Sequence, residues 1–467
     1  LMRIFLLLLL LLLFVQTHVL VAQNANITLL DNWQDSSLIS NTSGVRYSGC
    51  FTFLHNDFEY AVLGTTEGAS FFQLTNHDEL HFIDEVLGSY VSSQAITREY
   101  NRYQNYIYAI GDEGNASLQI IDVSYLPDSV QLVNQIQDER VGKAHTLRID
   151  TSEALLYLCS VTPIVNSQEQ GLIPLRVFSL ENPTDPVLIW EGFDDLPEVH
   201  DMELRDEIAI LNCGFDGLRV YDFSNPTAPI YLSNLEFYAD QGYNHQGSLS
   251  PDKETYVFAD ETPGTQLKKC AVSEGYELQI QHTFGVTDAP YLKTPHNIYI
   301  TNNLAYVAYY NDGLRIYDLR NNPPSEIAAY DTHADLLGNT FSMWGAWGIS
   351  ANLPSKRILV SDRISGLFLF EFNQDLFEMN APIEALLVFP NPVSSDGFVT
   401  VRLPSSVTPP FELKVFSTTG SIVYEALIEN QSYLSFRPCF ASGHYTLEIQ
   451  HPNSFSGMIH RKKLVVN

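Results

Sequence analysis

Five strings along the chain are near copies of one another: "LQIIDVSYLPDSVQLV" at 118–133, "LRVFSLENPTDPVLIW" at 175–190, "DGLRVYDFSNPTAPIYL" at 216–232, "DGLRIYDLRNNPPSEIA" at 312–328 and "SGLFLFEF" at 365–372. Weaker copies stand at 68–74 ("GASFFQL") and 265–273 ("TQLKKCAVS"). With Ala69, Leu118, Leu175, Leu218, Leu267, Leu314 and Leu367 as equivalent positions, the steps are 49, 57, 43, 49, 47 and 53 residues. A period near fifty constrains the fold more than any other feature, because a unit of that size buries little by itself and gains its core by stacking on its neighbours.

Each unit is written in short apolar and polar alternations broken by Gly, Pro, Asn and Asp, which is the pattern of strands and turns. A strand such as "YIYAIGD", "IAILNCG" or "AYVAYYN" precedes each repeat string, another such as "HDMEL" or "HNIYIT" precedes that, and a Pro-rich turn leads to a fourth strand. Four strands per unit and seven units predict an all-β, seven-bladed β-propeller over residues 23–373. The seventh unit lacks a fourth strand, and "NITLLDNW" at 26–33 stands unclaimed before the first. We expect it to complete the last blade, joining the ends of the ring and covering a sheet edge that would otherwise lie open.

The chain opens with Arg3 and an apolar run, followed by a small residue, Ala22. This reads as a secretory signal peptide over residues 1–22; the run is shorter than the roughly 20 residues a span needs, so no membrane span is expected in the mature chain. The formal charge of -30 argues against nucleic acid and anionic membranes, both of which call for basic patches. Five cysteines, an odd number without a CxxC pair, do not indicate a disulfide framework.

From residue 387 the pattern changes. A linker at 374–386 leads into a segment whose alternating strands and Thr419-Gly420 turn predict a small C-terminal β-sandwich at 387–467. From Val388 onward the formal charge is +1, against -31 for the rest of the chain, which marks a module with a separate task.

The residues opening the inner strands are Ser48, Gln94, His145, His200, His245, His296 and Trp347. Four histidines in register would look into one mouth of the channel, where the loops between second and third strands bring Glu67, Glu113, Glu169, Asp216, Asp260, Glu261, Asp312 and Asp362. The candidate ligand-binding residues are His145, His200, His245, His296, Trp347, Asp260 and Glu261. Imidazole and carboxylate both bind transition metals, so a divalent cation could sit on His200, His245, His296, Asp260 and Glu261; the same groups could move a proton on a substrate. Two bland readings stand beside these. Asp-Gly is ordinary hairpin chemistry, which accounts for Asp216 and Asp312, and a histidine at a repeated strand start can hydrogen-bond the neighbouring blade.

The strings "YNHQGSLSPDKETYVFADET", "TPHNIYITNNLAYVAYYNDGLRIYDL" and "WGAWGISANLPSKRILVSDRISGLFLFEF" resemble the choice-of-anchor B proteins, secreted bacterial propellers built of LVIVD-type repeats. The resemblance covers roughly 26–372, and the first two units depart from it at "SGCFTF" and "SSQAIT". The C-terminal segment resembles the type A sorting domain of the type IX secretion system of Bacteroidetes through Pro390-Asn391-Pro392, the "VFSTTGSIV" hairpin, Gly443 and Tyr445, and the basic end with Lys462 and Lys463. The resemblance implies a secreted or outer-membrane surface protein of a Gram-negative bacterium, the type IX machinery as a partner, and removal of the terminal domain on export. The expected function is a binding module for an extracellular glycan, protein or cation. The alternatives are a metal-assisted hydrolase or lyase at the histidine-lined mouth and a purely architectural protein.

Overall fold

The computed structural model describes residues 26–373, except 194, 288–289, 302 and 334–342, and residues 386–467, except 395–396, 404–409, 429–432 and 451–459. The expected signal peptide, and all but the last residue of the expected linker, lie outside the described residues. The chain divides into two compact units, Leu1–Phe372 and Asn373–Asn467.

Among the described residues the first unit is all-β, its one helical piece being a single 3-10 turn at Pro290–Leu292. Seven four-stranded antiparallel sheets follow one another along the chain. Their innermost strands are Tyr47–His55, Glu99–Tyr103, Thr146–Asp150, Asp201–Arg205, Asn244–Leu249, Ile298–Thr301 and Ala346–Ser350. Each of these lies beside the innermost strand of the next sheet, and Ala346–Ser350 lies beside Tyr47–His55.

The outer strand of the seventh sheet is Ile27–Trp33, antiparallel to Gly366–Phe372 with Ile27 opposite Phe372 and Trp33 opposite Leu367. A bulge interrupts this pairing between Leu29 and Asp31. The other six sheets bulge at the same place, between third and fourth strands, as at Val220/Tyr221 and Ile316/Tyr317. The N-terminal strand therefore takes the place of a fourth strand in register as well as in position.

Cores form between successive sheets, because a strand buried on both faces must be apolar on both. Leu211 and Cys213 of the fourth sheet pack against Tyr157 and Val177 of the third, while Ile210 and Val220, on the opposite face, pack against Tyr256 and Phe258 of the fifth. Each such side chain contributes roughly 1.5–3 kcal/mol on burial. No described helix is long and apolar enough to cross a membrane.

In the second unit, one sheet contains Leu387–Phe389, Val399–Arg402 and Tyr433–Phe436, and the other contains Ile422–Ile428, Phe411–Ser417, Gly443–Gln450 and His460–Val466. They enclose Val399, Val401, Leu413, Val415, Leu447, Ile449, Leu464 and Val466. Gly420 turns the hairpin at φ +84°, where a side chain would be strained. Asn391, between the two prolines, acts as a surrogate strand: its Nδ2 donates to Lys463 O at 2.7 Å and its Oδ1 accepts from Val465 N at 2.9 Å. Lys462 and Lys463 are exposed on that last strand, and the Tyr445 hydroxyl donates to Ala441 O at 2.5 Å.

Candidate functional site

The inner strands that carry these histidines begin in bulges, and the histidines are the extra residues. Cys159 faces Thr146 while its carbonyl also accepts from His145 N, and Asn212 does the same for Asp201 and His200. His245 is skipped between Asn244 and Gln246, and Trp347 between Ala346 and Gly348. A bulge re-aims one side chain without ending the strand. Here it turns the rings into an arc, with successive centroids 4.1 Å apart for His145 and His200, 4.3 Å for His200 and His245, 4.2 Å for His245 and His296, and 4.8 Å for His296 and Trp347.

Part of this arc fastens sheet to sheet. His200 Nδ1 lies 3.1 Å from His245 O, and His296 Nδ1 lies 2.7 Å from Trp347 O. Gln246 does the same work from the next position, accepting from Ile298 N at 2.7 Å and donating to Ile298 O at 3.2 Å. A carbonyl only accepts, so each of these Nδ1 atoms carries the proton and each Nε2 keeps its lone pair.

The Nε2 atoms of His245 and His296 turn to one acid. Glu261 Oε2 is 3.8 Å from His245 Nε2, and Glu261 Oε1 is 3.8 Å from His296 Nε2. The Tyr310 hydroxyl donates to Glu261 Oε1. The donor atoms of His200, His245 and Glu261 all lie within 4.8 Å of one another. Burial, reinforced by the neighbouring imidazoles, pushes His200 and His296 well below the ordinary imidazole value. Burial lowers His245 as well, with Glu261 pulling the other way.

His145 belongs to a different arrangement. Its Nδ1 is 2.5 Å from Asp112 Oδ2, and although burial alone would lower it, the carboxylate raises it to about 9. Beside that pair, burial and the Asp112 charge raise Glu113 to about 7.

The expected acidic rim resolves into separate structural roles. Asp260 does not join the histidines: its Oδ2 is 2.6 Å from Lys268 Nζ with both side chains fully buried, and it accepts from Tyr238 and Gly242. Asp312 pairs with Lys293 at 2.7 Å and Glu169 with Lys143 at 2.7 Å. Asp362 caps its own turn through Ile364 N and Ser365 N. Glu67 accepts from Ile39 N, and Asp216 is exposed. Ser48 is buried at the bulge of its strand, whereas Gln94 lies exposed in a turn ahead of Glu99–Tyr103 and does not open it.

Sequence reasoning missed Tyr310, Asp112 and the charges inside the channel. A cavity of about 300 Å³ is lined by Glu99, Arg148, Glu203 and Arg205 together with residues from all seven inner strands. Arg148 pairs with Asp201 at 2.7 Å and Arg205 with Glu203 at 3.0 Å. The alternation in "HDMELR" and "HTLRID" carried this signal, since every second residue of an inner strand faces the channel.

No known protein family matches the chain by sequence, and no curated protein matches it. Among solved structures it is similar to a protein from Lactobacillus plantarum (12% identity, 84% of this chain and 99% of that one, TM-score 0.48). It is also similar to the Cps50 (Swd1) β-propeller domain from Myceliophteria thermophila (9% identity, 70% and 96%, TM-score 0.49). A third similar structure is the periplasmic gluconolactonase PpgL of Pseudomonas aeruginosa (14% identity, 61% and 84%, TM-score 0.46). At such identities no residue of the mouth carries over from any of them.

Proposed function

We propose that this chain is an exported binding module: a closed seven-bladed propeller that holds a ligand at the histidine-lined mouth of its channel, followed by a C-terminal sandwich that addresses it to type IX secretion. Closure is supported by the pairing of Ile27–Trp33 with Gly366–Phe372 and by the contact of the seventh inner strand with the first.

One observation carries the binding reading. Fastening the sheets uses only the Nδ1 atoms of His200 and His296, yet the Nε2 atoms of His245 and His296 both turn to Glu261, an arrangement that fastening leaves unexplained. Convergent polar groups in a concave site are the usual mark of ligand binding.

The test is a screen of the full chain against soluble glycans and organic acids by thermal shift, with calorimetry on the hits. A ligand whose affinity falls at least tenfold in the His200→Gln/His245→Gln variant, at unchanged circular dichroism, is expected. No ligand, or binding undiminished in that variant, overturns the reading.

The sorting role rests on the Pro390-Asn391-Pro392 turn clamped to the basic last strand through Asn391 and on the charge difference between the two parts of the chain. A reporter with a signal peptide fused to residues 374–467 should reach the cell surface of a bacterium that has type IX machinery. Retention in the periplasm counts against the role.

A further inference from the structure

We infer that His200, His245 and Glu261 form a three-ligand site for one divalent transition-metal ion of the zinc class, with a coordination position left open at the channel mouth. The inference rests on the reading of the mouth as a ligand site and gives that site its chemistry: the bound molecule would offer an oxygen donor to the ion.

Four observations support it. The donor set is two imidazole nitrogens and one carboxylate oxygen, which suits zinc and its neighbours, whereas calcium and magnesium want oxygen throughout. Two such nitrogens and one oxygen with a fourth, exchangeable position is the pattern of metal sites that act on a further molecule.

The distances are close to closure. With metal-ligand bonds of about 2.0–2.1 Å, tetrahedral donors stand about 3.3 Å apart. His245 Nε2 and Glu261 Oε2 are at 3.8 Å, and all three donors lie within 4.8 Å.

The tautomer of one of the two histidine ligands is already set. A metal-bound imidazole normally donates its other N–H to a carbonyl or carboxylate, which fixes the ring and raises its basicity. His200 Nδ1 has such a partner in His245 O at 3.1 Å, so its Nε2 is the unprotonated nitrogen.

The carboxylate is also held by one oxygen only. Tyr310 donates to Oε1, which leaves Oε2, the atom facing His245 Nε2, for the ion. Among the described residues the donor atoms that converge are those of His200, His245 and Glu261, without His145, and His296 faces the oxygen that Tyr310 already occupies. All three ligands sit at strand ends or bulges of a packed scaffold, which holds a site more tightly than free loops do.

The experiment uses the full chain, stripped with a chelator and titrated with Zn²⁺ against a chromophoric competitor, and with Co²⁺ followed by visible absorption. The expected result is one tight equivalent and a Co²⁺ spectrum of four- or five-coordinate type. Glu261→Gln and His245→Gln, which keep side-chain size, should each weaken Zn²⁺ binding at least tenfold with unchanged melting of the metal-free protein, and Tyr310→Phe about tenfold.

Absence of a stoichiometric Zn²⁺ equivalent in the parent protein overturns the inference. So does binding that survives both the Glu261→Gln and His245→Gln changes, which would place the ion elsewhere. If no Zn²⁺ binds but a ligand found in the screen still depends on His200 and His245, the metal site falls and the binding reading stands. If Zn²⁺ binds as described and the screen finds no ligand, the metal site stands and the ligand reading falls.

Discussion

Lys268 and Asp260 form an ion pair in which neither side chain is exposed, with Nζ 2.6 Å from Oδ2. Lys268 Nζ also donates to Asp240 O, and Asp260 accepts from Gly242 N and the Tyr238 hydroxyl, so every strong bond the pair needs is made inside the fifth sheet and its flanking loop. Removing one partner of such a pair strands the other charge away from water, which costs about 3–5 kcal/mol. Lys268→Met should therefore lower unfolding stability by that amount in urea titrations. Adding Asp260→Asn should recover much of it, because the stranded charge is gone. A Lys268→Met variant as stable as the parent would refute this account of Asp260.

Glu99 faces the channel cavity, and burial raises its carboxyl from the ordinary 4.5 to about 7, with Arg148 opposing and Asp201 adding to the rise. The folded protein thus holds a proton that the unfolded chain has already lost between these two values. By linkage, this group makes stability fall as pH rises from about 4.5 to about 7, with no further change above. Glu99→Gln should be more stable than the parent at pH 8 by no more than about 3 kcal/mol, the channel's own solvent reducing the figure. The difference should vanish below pH 4. Stability curves of the two proteins that run parallel across this range would count against the assignment.

Trp33 ends the N-terminal strand with its ring 4.8 Å from Phe72 and stacked over Phe82 at 6.2 Å. Because it reaches from the seventh sheet to the first, its loss should be felt by the whole unit. Trp33→Ala should cost about 3 kcal/mol. Deleting residues 26–33 should expose the edge of Gly366–Phe372 and produce aggregation visible on size exclusion. A truncated protein that stays monodisperse with an unchanged melting temperature would show that the strand is dispensable.

The five cysteines are all free; Cys159, Cys213 and Cys270 are buried and Cys439 is exposed. Burial pushes the Cys50, Cys159 and Cys270 thiols up to about 12, which keeps them from forming the reactive thiolate. A thiol reagent at pH 8 should react quickly with one thiol per chain, and mass mapping should place it at Cys439. The other four should appear only on denaturation. Rapid labelling of Cys50 would mean that the channel is open to molecules of that size.

Much of this protein could be read from the chain. A spacing near fifty with period-two alternation specifies four-stranded units, since side chains that alternate faces can bury both only between neighbouring sheets. The unclaimed strand before the first unit is legible for the same reason, and so is the register of His145, His200, His245 and His296, which repeat copying fixes locally.

Which of the two candidate acids meets those histidines was not legible. Asp260 and Glu261 are adjacent in sequence and look alike, yet consecutive residues at a strand end point to opposite sides. Which side meets the channel depends on the pairing of Asp260 with Asn244 and on the bulge at His245. Lys268 reaches Asp260 from the next strand and Tyr310 reaches Glu261 from the next sheet. Local sequence sets the strands and turns through backbone sterics. Which acid is neutralised and which is left facing the histidines is set by contacts between strands and sheets far apart in the chain, and only the packed structure brings those together.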